Sequence, residues 1–220
     1  MNHLDITAIR NLLAIHKTVT SSIIKDLISE HRPKRQKMTA LYERYKVTDH
    51  GVPIFNRTFE DRNKINNKIN NDFFSEIIDT KVGYFAGKPI AYNLDKTMYL
   101  VNQKLAEDRY KKHTGIISDF NIRNNIEDMD AETAKKAAIC GYAARLLYID
   151  RSGKEKVINI DPWEVIFIAD GSIGEPQYAL RYYHIFVRKD DKQVSRTKVE
   201  WYDNWNITFF IEDEDGSYIL

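Results

Sequence analysis

The segment from Gly83 to Pro89, GYFAGKP, is the part of the sequence that could most readily hold a phosphate group. A phosphate-binding loop needs four residues between its glycines, then lysine and a hydroxyl side chain for magnesium. Here three residues separate Gly83 from Gly87, and Pro89 follows Lys88 where the hydroxyl belongs. The preceding apolar residues recur every four positions, as in a helix, whereas a phosphate loop follows a buried strand. We therefore predict that a helix ends here, with Gly87 as its left-handed cap and Pro89 preventing continuation.

The other reactive side chains form no catalytic or metal-binding pattern. The six histidines lie in no metal-ligand spacing, and the carboxylates of IEDMDAE (126–132) are typical of a helix N-terminus. Cys140 follows an alanine pair and an isoleucine, which predicts a small buried side chain rather than a nucleophile. Asp79 and Lys81 form a fragment of a nuclease motif, but on a helix their side chains point apart. EDED (212–215) is predicted to be a hairpin turn and lacks the calcium-loop pattern. The sequence thus predicts no enzymatic activity, no cofactor and no metal.

The composition is that of an ordinary soluble globular protein, with 220 residues, 43% hydrophobic and 30% charged. The formal net charge is only +1, so a protein that binds DNA through a large basic surface is not expected. The single cysteine excludes an intrachain disulfide and a multi-cysteine zinc site. No secretory signal and no apolar run long enough to span a membrane is visible, so we expect a cytosolic protein.

The first part of the chain is predicted to be helical. Apolar residues recur at helical spacing over 5–29, and the β-branched segment 18–22 weakens the middle enough to divide it. Pro33 suits the first turn of a second helix. The basic residues of that helix, within 34–44, could touch phosphates but are predicted to face solvent.

Further helices are predicted from about residue 63 to Gly87, over 97–112 and 114–127, and from an N-cap at Asp130 to Gly141. Four asparagines occupy the opening turns of the first of these helices, where asparagine is a poor helix former. Their amides are therefore expected to act as caps, as hydrogen bonds between elements, or at a subunit interface. These residues are Asn66, Asn67, Asn70 and Asn71.

After Gly141 the sequence changes to short β-branched and aromatic segments separated by turn signals such as RSGK and DEDG. These segments predict the strands of an antiparallel sheet. The predicted fold class is α+β, with an N-terminal helical region followed by a mainly antiparallel sheet. The predicted parts are a helical segment with an irregular loop (1–62), a helical part (63–142) and an antiparallel part (143–220). The last strands begin a hairpin at the end of the sequence, so we expect the chain to stop inside a domain.

Together these segments resemble the portal (head–tail connector) proteins of tailed bacteriophages, in the branch found in siphophages of Gram-positive bacteria. The first segment that carries the resemblance is KINNKINNDFFSEIIDTKVGYFAGKPIAY, from Lys64 to Tyr92. The second is AAICGYAARLLYIDRSGKEKVINIDPWEVIFIAD (137–170), and the strand ALRYYHI after it is similar as well. The resemblance singles out structural or interface positions rather than catalytic ones. Beside the four asparagines, these are Asp79, Gly83, Tyr84, Gly87, Pro89, Gly141, Asp161 and Pro162.

The resemblance implies a structural ring subunit, a dodecamer in the capsid, at the vertex through which DNA is packaged and ejected. The implied partners are other copies of the chain, terminase, capsid and scaffold proteins, and head–tail adaptor proteins. Double-stranded DNA would pass through the full-length ring without sequence specificity, and no cofactor or membrane is implied. The implied location is the virion, with the bacterial host cytoplasm during assembly. Family members are longer, so the chain is expected to be the N-terminal wing, truncated before the stem, clip and crown.

Two other classes of protein stay open from the sequence. A monomeric, prophage-derived interaction module would share the α+β fold but would not form rings. An enzyme, such as a nuclease or a terminase motor subunit, would need clustered carboxylates on strands or a true phosphate loop, and the sequence contains neither.

Overall fold

The computed structural model describes residues 9, 11, 13–15, 18–47, 65, 72–99, 103–169, 176–189 and 192–220. The fold is α+β, as predicted, with helices followed by antiparallel strands. The chain divides into two compact units, of which the first combines 1–39 with 161–220 and the second contains 40–160. Residues 9, 11 and 13–15 are helical, and the helices with described bounds are α1 (Ser21–Tyr45), α2 (Phe73–Ala86), α3 (Gln103–Arg123) and α4 (Ile126–Cys140), with short 3-10 helices at Lys96–Tyr99 and Pro162–Glu164.

The predicted strands are confirmed, but they form two sheets rather than one. The strands β1 and β2 pair as an antiparallel hairpin, and β3 to β7 form a five-stranded antiparallel sheet in chain order. The division falls where Pro162 begins a 3-10 helix after β2, because proline cannot donate to a continuing ladder. The strands are Ala144–Ile149, Glu155–Ile160, Val165–Ile168, Tyr178–Lys189, Lys192–Tyr202, Ile207–Glu212 and Tyr218–Ile219.

In the first unit, one face of the five-stranded sheet carries the apolar core. Strand pairing places Leu180 opposite Trp201 and Tyr182 opposite Val199, so these side chains share one face of the sheet. All of them are buried, and the N-terminal part of the chain covers them. The same cluster contains Ile9, Val19, Ile23, Ile24 and Leu27 from that part, and Ile166, Ile168 and Phe210 from β3 and β6.

Pro33 lies inside α1 and does not begin a helix, so the prediction of a second helix starting there is wrong. A proline within a helix removes a backbone hydrogen bond and costs about 3 kcal/mol. Buried residues of α1 lie on both sides of it, with Leu27 and His31 before it and Met38 after it. Their burial favours a continuous helix, which local sequence preference alone does not predict.

Two further boundaries test the predicted helices. The predicted interruption within 18–22 is confirmed, because residues 18–20 are not helical. In contrast, α3 is continuous through Gly115, where the sequence predicts two helices over 97–112 and 114–127. A glycine inside a helix costs only about 1 kcal/mol relative to alanine, so one glycine does not end a long helix.

In the second unit, α4 packs with α2 and α3 and with the β1–β2 hairpin. The side-chain oxygen of Asn124 accepts a hydrogen bond from the backbone N–H of Val157 at 3.3 Å, and its amide nitrogen donates to the carbonyl oxygen of Glu155 at 3.3 Å. The hairpin is therefore tied to the end of α3. The buried apolar residues of this unit include Ile78, Ile126, Ile139, Ala144, Val157 and Ile160.

His31 is a buried polar residue of α1 in the first unit. Its Nδ1 atom lies 2.9 Å from the hydroxyl oxygen of Tyr182, and the two rings meet edge to face. Burial, followed by the positive charges of Lys34 and Arg35, lowers the pKa of His31 from 6.5 to about 4. The imidazole is therefore neutral at pH 7, where a charged ring would be buried without a counter-ion.

Stability should depend on pH through His31. As the pH falls below 6.5, the unfolded chain binds a proton on this residue, whereas the folded chain does not until about pH 4. The free energy of unfolding should fall across that window by up to about 3 kcal/mol, and by less where water screens the ring. Urea denaturation at several pH values measures this slope.

The matched variants are His31→Gln, which keeps a hydrogen-bonding side chain near Tyr182, and His184→Gln on the exposed part of β4. We expect a shallower slope in His31→Gln and an unchanged slope in His184→Gln. Equal slopes in the wild type and in His31→Gln would contradict a buried neutral histidine.

Candidate functional site

Asp79 lies within α2 and joins that helix to the end of α1. The hydroxyl of Tyr45 donates to Oδ1 of Asp79 at 2.7 Å, and the hydroxyl of Ser75 donates to the carbonyl oxygen of Tyr45 at 2.6 Å. Burial, followed by the hydrogen bond to the Asp79 carboxylate, raises the pKa of Tyr45 to about 12. The phenol therefore stays protonated and donating at neutral pH. Asp79 has a structural contact here rather than the geometry of a nuclease site.

The GYFAGKP segment ends a helix, as predicted. The last residue of α2 is Ala86, and the N–H of Gly87 donates to the carbonyl oxygen of Gly83 at 3.0 Å. The predicted left-handed cap is wrong, because Gly87 has φ −71° and ψ −11°, in the right-handed region. Glycine is required for a steric reason instead, since a Cβ on Gly87 would overlap the carbonyl oxygen of Gly83. Pro89 follows outside the helix and is exposed.

The apolar residues that recur every four positions along α2 are only partly covered. Ile78 is buried and Val82 is half-buried, on the side that packs inside the second unit. Phe73, Ile77 and Tyr84 lie along another side of the helix, and they are 66%, 65% and 91% exposed. We call these three residues the α2 stripe. An apolar stripe of this kind on a protein surface is typical of a contact with another molecule.

The remaining predicted positions are spread over the two units. Gly141 ends α4 with φ 91°, as a left-handed cap, and its N–H donates to the carbonyl oxygen of Ala137 at 2.9 Å. Asp161 and Pro162 begin a 3-10 helix in the first unit, where Pro162 is buried. The described positions therefore belong to both units. Asn66, Asn67, Asn70 and Asn71 lie outside the described residues, so their role stays a prediction.

Asp130 forms a buried ion pair with Arg145. The prediction that it is the N-cap of a helix is wrong. The helix α4 begins earlier, at Ile126, after Asn125. Oδ1 of Asp130 accepts a hydrogen bond from Nη1 of Arg145 at 2.8 Å, and Oδ2 accepts one from the hydroxyl of Tyr92. A buried carboxylate is costly unless it is paired, so this contact fixes the position of β1 against α4.

Arg145 extends this network to the hairpin and borders a cavity. Its guanidinium also donates to Oγ1 of Thr133 at 2.7 Å and to Oδ1 of Asn159 at 3.1 Å. The cavity beside it, of about 500 Å³, lies within the second unit. Among the described lining residues only Arg145 is charged, so the cavity offers no acid–base pair. Its apolar lining includes Ile117, Phe120, Ile126, Leu147 and Val157.

Glu200 is the centre of a second polar network, on the sheet face opposite the apolar core. It is 6% exposed and accepts hydrogen bonds from the hydroxyls of Tyr183 at 2.8 Å and Tyr202 at 2.7 Å. Arg181, directly opposite Glu200 in the ladder, lies 3.4 Å from it and 3.1 Å from Glu164. Burial and the hydrogen bonds to Glu200 raise the pKa of Tyr183 to about 12 and also raise that of Tyr202.

The sequence predicts which residues of this network share a face of each strand, but it does not predict how the two strands pair. Alternation along each strand places Arg181 and Tyr183 on one face of β4, and Glu200 and Tyr202 on one face of β5. The register that places Arg181 opposite Glu200 depends on how β4 and β5 pair, and no local sequence motif predicts that pairing. The carboxylate of Glu200 is surrounded by donors, so it stabilises the sheet and is not available as a general base.

The described residues contain no group of three or more His, Cys, Asp or Glu side chains close enough to hold a metal ion. In the same part of the chain, no helix is both long enough and apolar enough to cross a membrane. Cys140 is half-buried rather than buried as predicted. The polar clusters of both units hold structural elements together within an α+β fold.

A family model described as "Phage portal protein, SPP1 Gp6-like" matches residues 24–219, from the first turn of α1 to β7. This match covers most of the sequence, and the chain belongs to this family of phage portal proteins. The family is structural rather than enzymatic. No curated protein matches the chain. The predicted resemblance to portal proteins is confirmed, while the siphophage branch and the wing assignment stay predictions.

The two glycines of the GYFAGKP segment should respond in opposite ways to alanine. A Cβ on Gly83 meets nothing within 4 Å, so Gly83→Ala should stabilise the protein by up to about 1 kcal/mol through helix propensity. Gly87→Ala should destabilise it by roughly 1–3 kcal/mol, because the clash is with backbone that cannot rotate away. Urea denaturation followed by circular dichroism measures both. Equal stability of the two variants would contradict the close approach at Gly87.

Proposed function

We propose that this chain is a ring subunit at the capsid vertex through which phage DNA is packaged and ejected. Copies of the chain assemble into a dodecamer in the capsid. Terminase docks on the ring during packaging, capsid and scaffold proteins surround it, and head–tail adaptor proteins attach afterwards. Membership of the portal family supports this role, and no feature of the described residues favours an enzyme or an isolated interaction module.

The observation that carries the proposal beyond the family is the exposed α2 stripe. A cyclic ring needs two different complementary faces on every subunit, and the fully buried centre of such an interface is apolar and aromatic. The second unit offers further apolar area, since Leu147 and Ile149 on β1 are 69% and 71% exposed. The asparagines of 66–71 precede α2 in the sequence and belong to the same proposed interface.

The remaining parts of the proposal concern DNA and location. A near-neutral chain suits a ring through which DNA slides, because strong cationic contacts would hold the phosphates. In this proposal the chain is the portal wing, made of the parts 1–62, 63–142 and 143–220. The assembled protein belongs to the virion, and the host cytoplasm is where it assembles.

Self-association through the α2 stripe is the test of this function. We expect native mass spectrometry of the chain to show large oligomers. Ile77→Asp, in the middle of the stripe, should weaken self-association by at least about tenfold, because a carboxylate would be buried without a partner. Its fold should be unchanged, because the wild-type side chain is exposed.

Thr114→Asp on the exposed surface of α3 is the matched control, since it adds the same charge to a helix of the same unit. This variant should assemble like the wild type. A wild-type chain that stays monomeric at every concentration would contradict the ring proposal and favour a monomeric interaction module. Equal loss of assembly in both variants would show that charge, rather than the stripe, controls association.

A further inference from the structure

A polar cavity of about 580 Å³ lies within the first unit, between α1 and the five-stranded sheet. Its helix wall consists of residues spaced three or four apart, so they share one face of α1. The cavity lies beyond the apolar core, where the side chains between helix and sheet become polar. We call it the α1 groove. Its helix wall contains Arg32, Arg35, Gln36 and Thr39, and its sheet wall contains Tyr182, Ser195, Thr197 and Glu212.

The helix wall carries two arginines that have no carboxylate partner among the described residues. Arg32 is exposed, and Arg35 is half-buried with its guanidinium carbon 4.7 Å from the centroid of the Tyr182 ring. In contrast, Arg145 and Arg181 bind carboxylates at 2.8 Å and 3.1 Å. A guanidinium stacked on an aromatic ring is held in place, and the N–H groups at its edge stay available as donors. The groove therefore presents two positive charges, one of them fixed in position.

Basic side chains outnumber acidic ones around this part of α1. Burial, and after it the positive charges of Lys34 and Arg35, lowers the pKa of His31, whose ring contacts Tyr182 of the groove wall. The one carboxylate among the described lining residues is Glu212, whose Oε2 accepts the backbone N–H of Thr197 at 3.0 Å. Glu212 keeps its negative charge at the edge of the groove, but among the described residues it forms no ion pair with Arg32 or Arg35, so the two arginines outnumber it.

We propose that the α1 groove binds a short acidic segment of a protein partner, with one carboxylate held by Arg32 and Arg35. A guanidinium matches a carboxylate with two parallel hydrogen bonds, which gives geometric specificity as well as attraction. Gln36 and Ser195 offer amide and hydroxyl groups for the peptide backbone on either side of that carboxylate. This proposal does not depend on ring formation.

A nucleic acid fits the groove less well than a peptide does. Binding to a phosphate backbone depends on neutralising many phosphates with lysine and arginine, and this groove offers two arginines with a carboxylate at its edge. Glu212 would repel the next phosphate of a continuous polyanion. An acidic peptide can place one carboxylate on the arginines and neutral backbone beside Glu212.

Fluorescence anisotropy at low salt with a labelled, end-blocked hexaglutamate peptide tests the proposal, and labelled hexathymidylate is the competing probe. Low salt is needed because exposed charges are strongly screened otherwise. Arg32→Gln and Arg35→Gln should each weaken peptide binding about tenfold. Lys37→Gln removes the same charge from an exposed position of α1 outside the groove and should leave binding unchanged. Because Arg32 is exposed, its variant should fold normally even if Arg35→Gln, which loses the stacking on Tyr182, does not.

The other outcomes overturn the proposal. Equal weakening by Lys37→Gln would mean that the peptide binds the whole basic surface of the helix. Tighter, Arg32-dependent binding of hexathymidylate would make the groove a nucleic-acid site. No binding of the peptide up to millimolar concentration would mean that the groove does not recognise acidic segments. Loss of self-association in Arg32→Gln without peptide binding would make the groove a contact between copies of the chain.

Discussion

The apolar contact between α1 and the five-stranded sheet is the constraint on which the first unit depends. Leu27 of α1 is fully buried in the same cluster as Leu180 and Trp201, although all of Ala40–Ile160 lies between them in the chain. Closing so long a loop costs entropy, but the cost grows only slowly with loop length. Burial of each large apolar side chain contributes about 1.5–3 kcal/mol and offsets it. The intervening residues can therefore form a unit of their own.

Both units contain buried charged side chains. Asp130 is paired with Arg145 in one unit, and Glu200 is paired with Arg181 in the other. Removing one partner of such a pair leaves a buried charge, so each pair favours a single arrangement of the elements around it. Tyrosine hydroxyls satisfy the remaining oxygen positions of both carboxylates. This use of polar groups, to hold elements in place rather than to react, is what a structural member of a portal family requires.

The sequence predicts those features that depend on nearby residues. The strands after Gly141 follow from β-branched and aromatic segments between turn signals, and the cap at Gly141 follows from the glycine itself. Local sequence does not reveal that α1 continues through Pro33, because burial on both sides of the proline, a tertiary effect, maintains the helix. The requirement for glycine at position 87 comes from the short distance between its backbone and the carbonyl oxygen of Gly83. The roles of Asp130 and Glu200 depend on arginines brought to them by helix packing and strand register, which no spacing along the chain reveals.

The match to portal proteins over residues 24–219 and the exposed α2 stripe support the central proposal that this chain forms a closed ring. Electron-microscopic class averages of the purified protein test it most directly, because they show symmetry as well as size. The account predicts closed particles with rotational symmetry around a central opening. Monomers, or open chains of subunits without a closed axis, would contradict it.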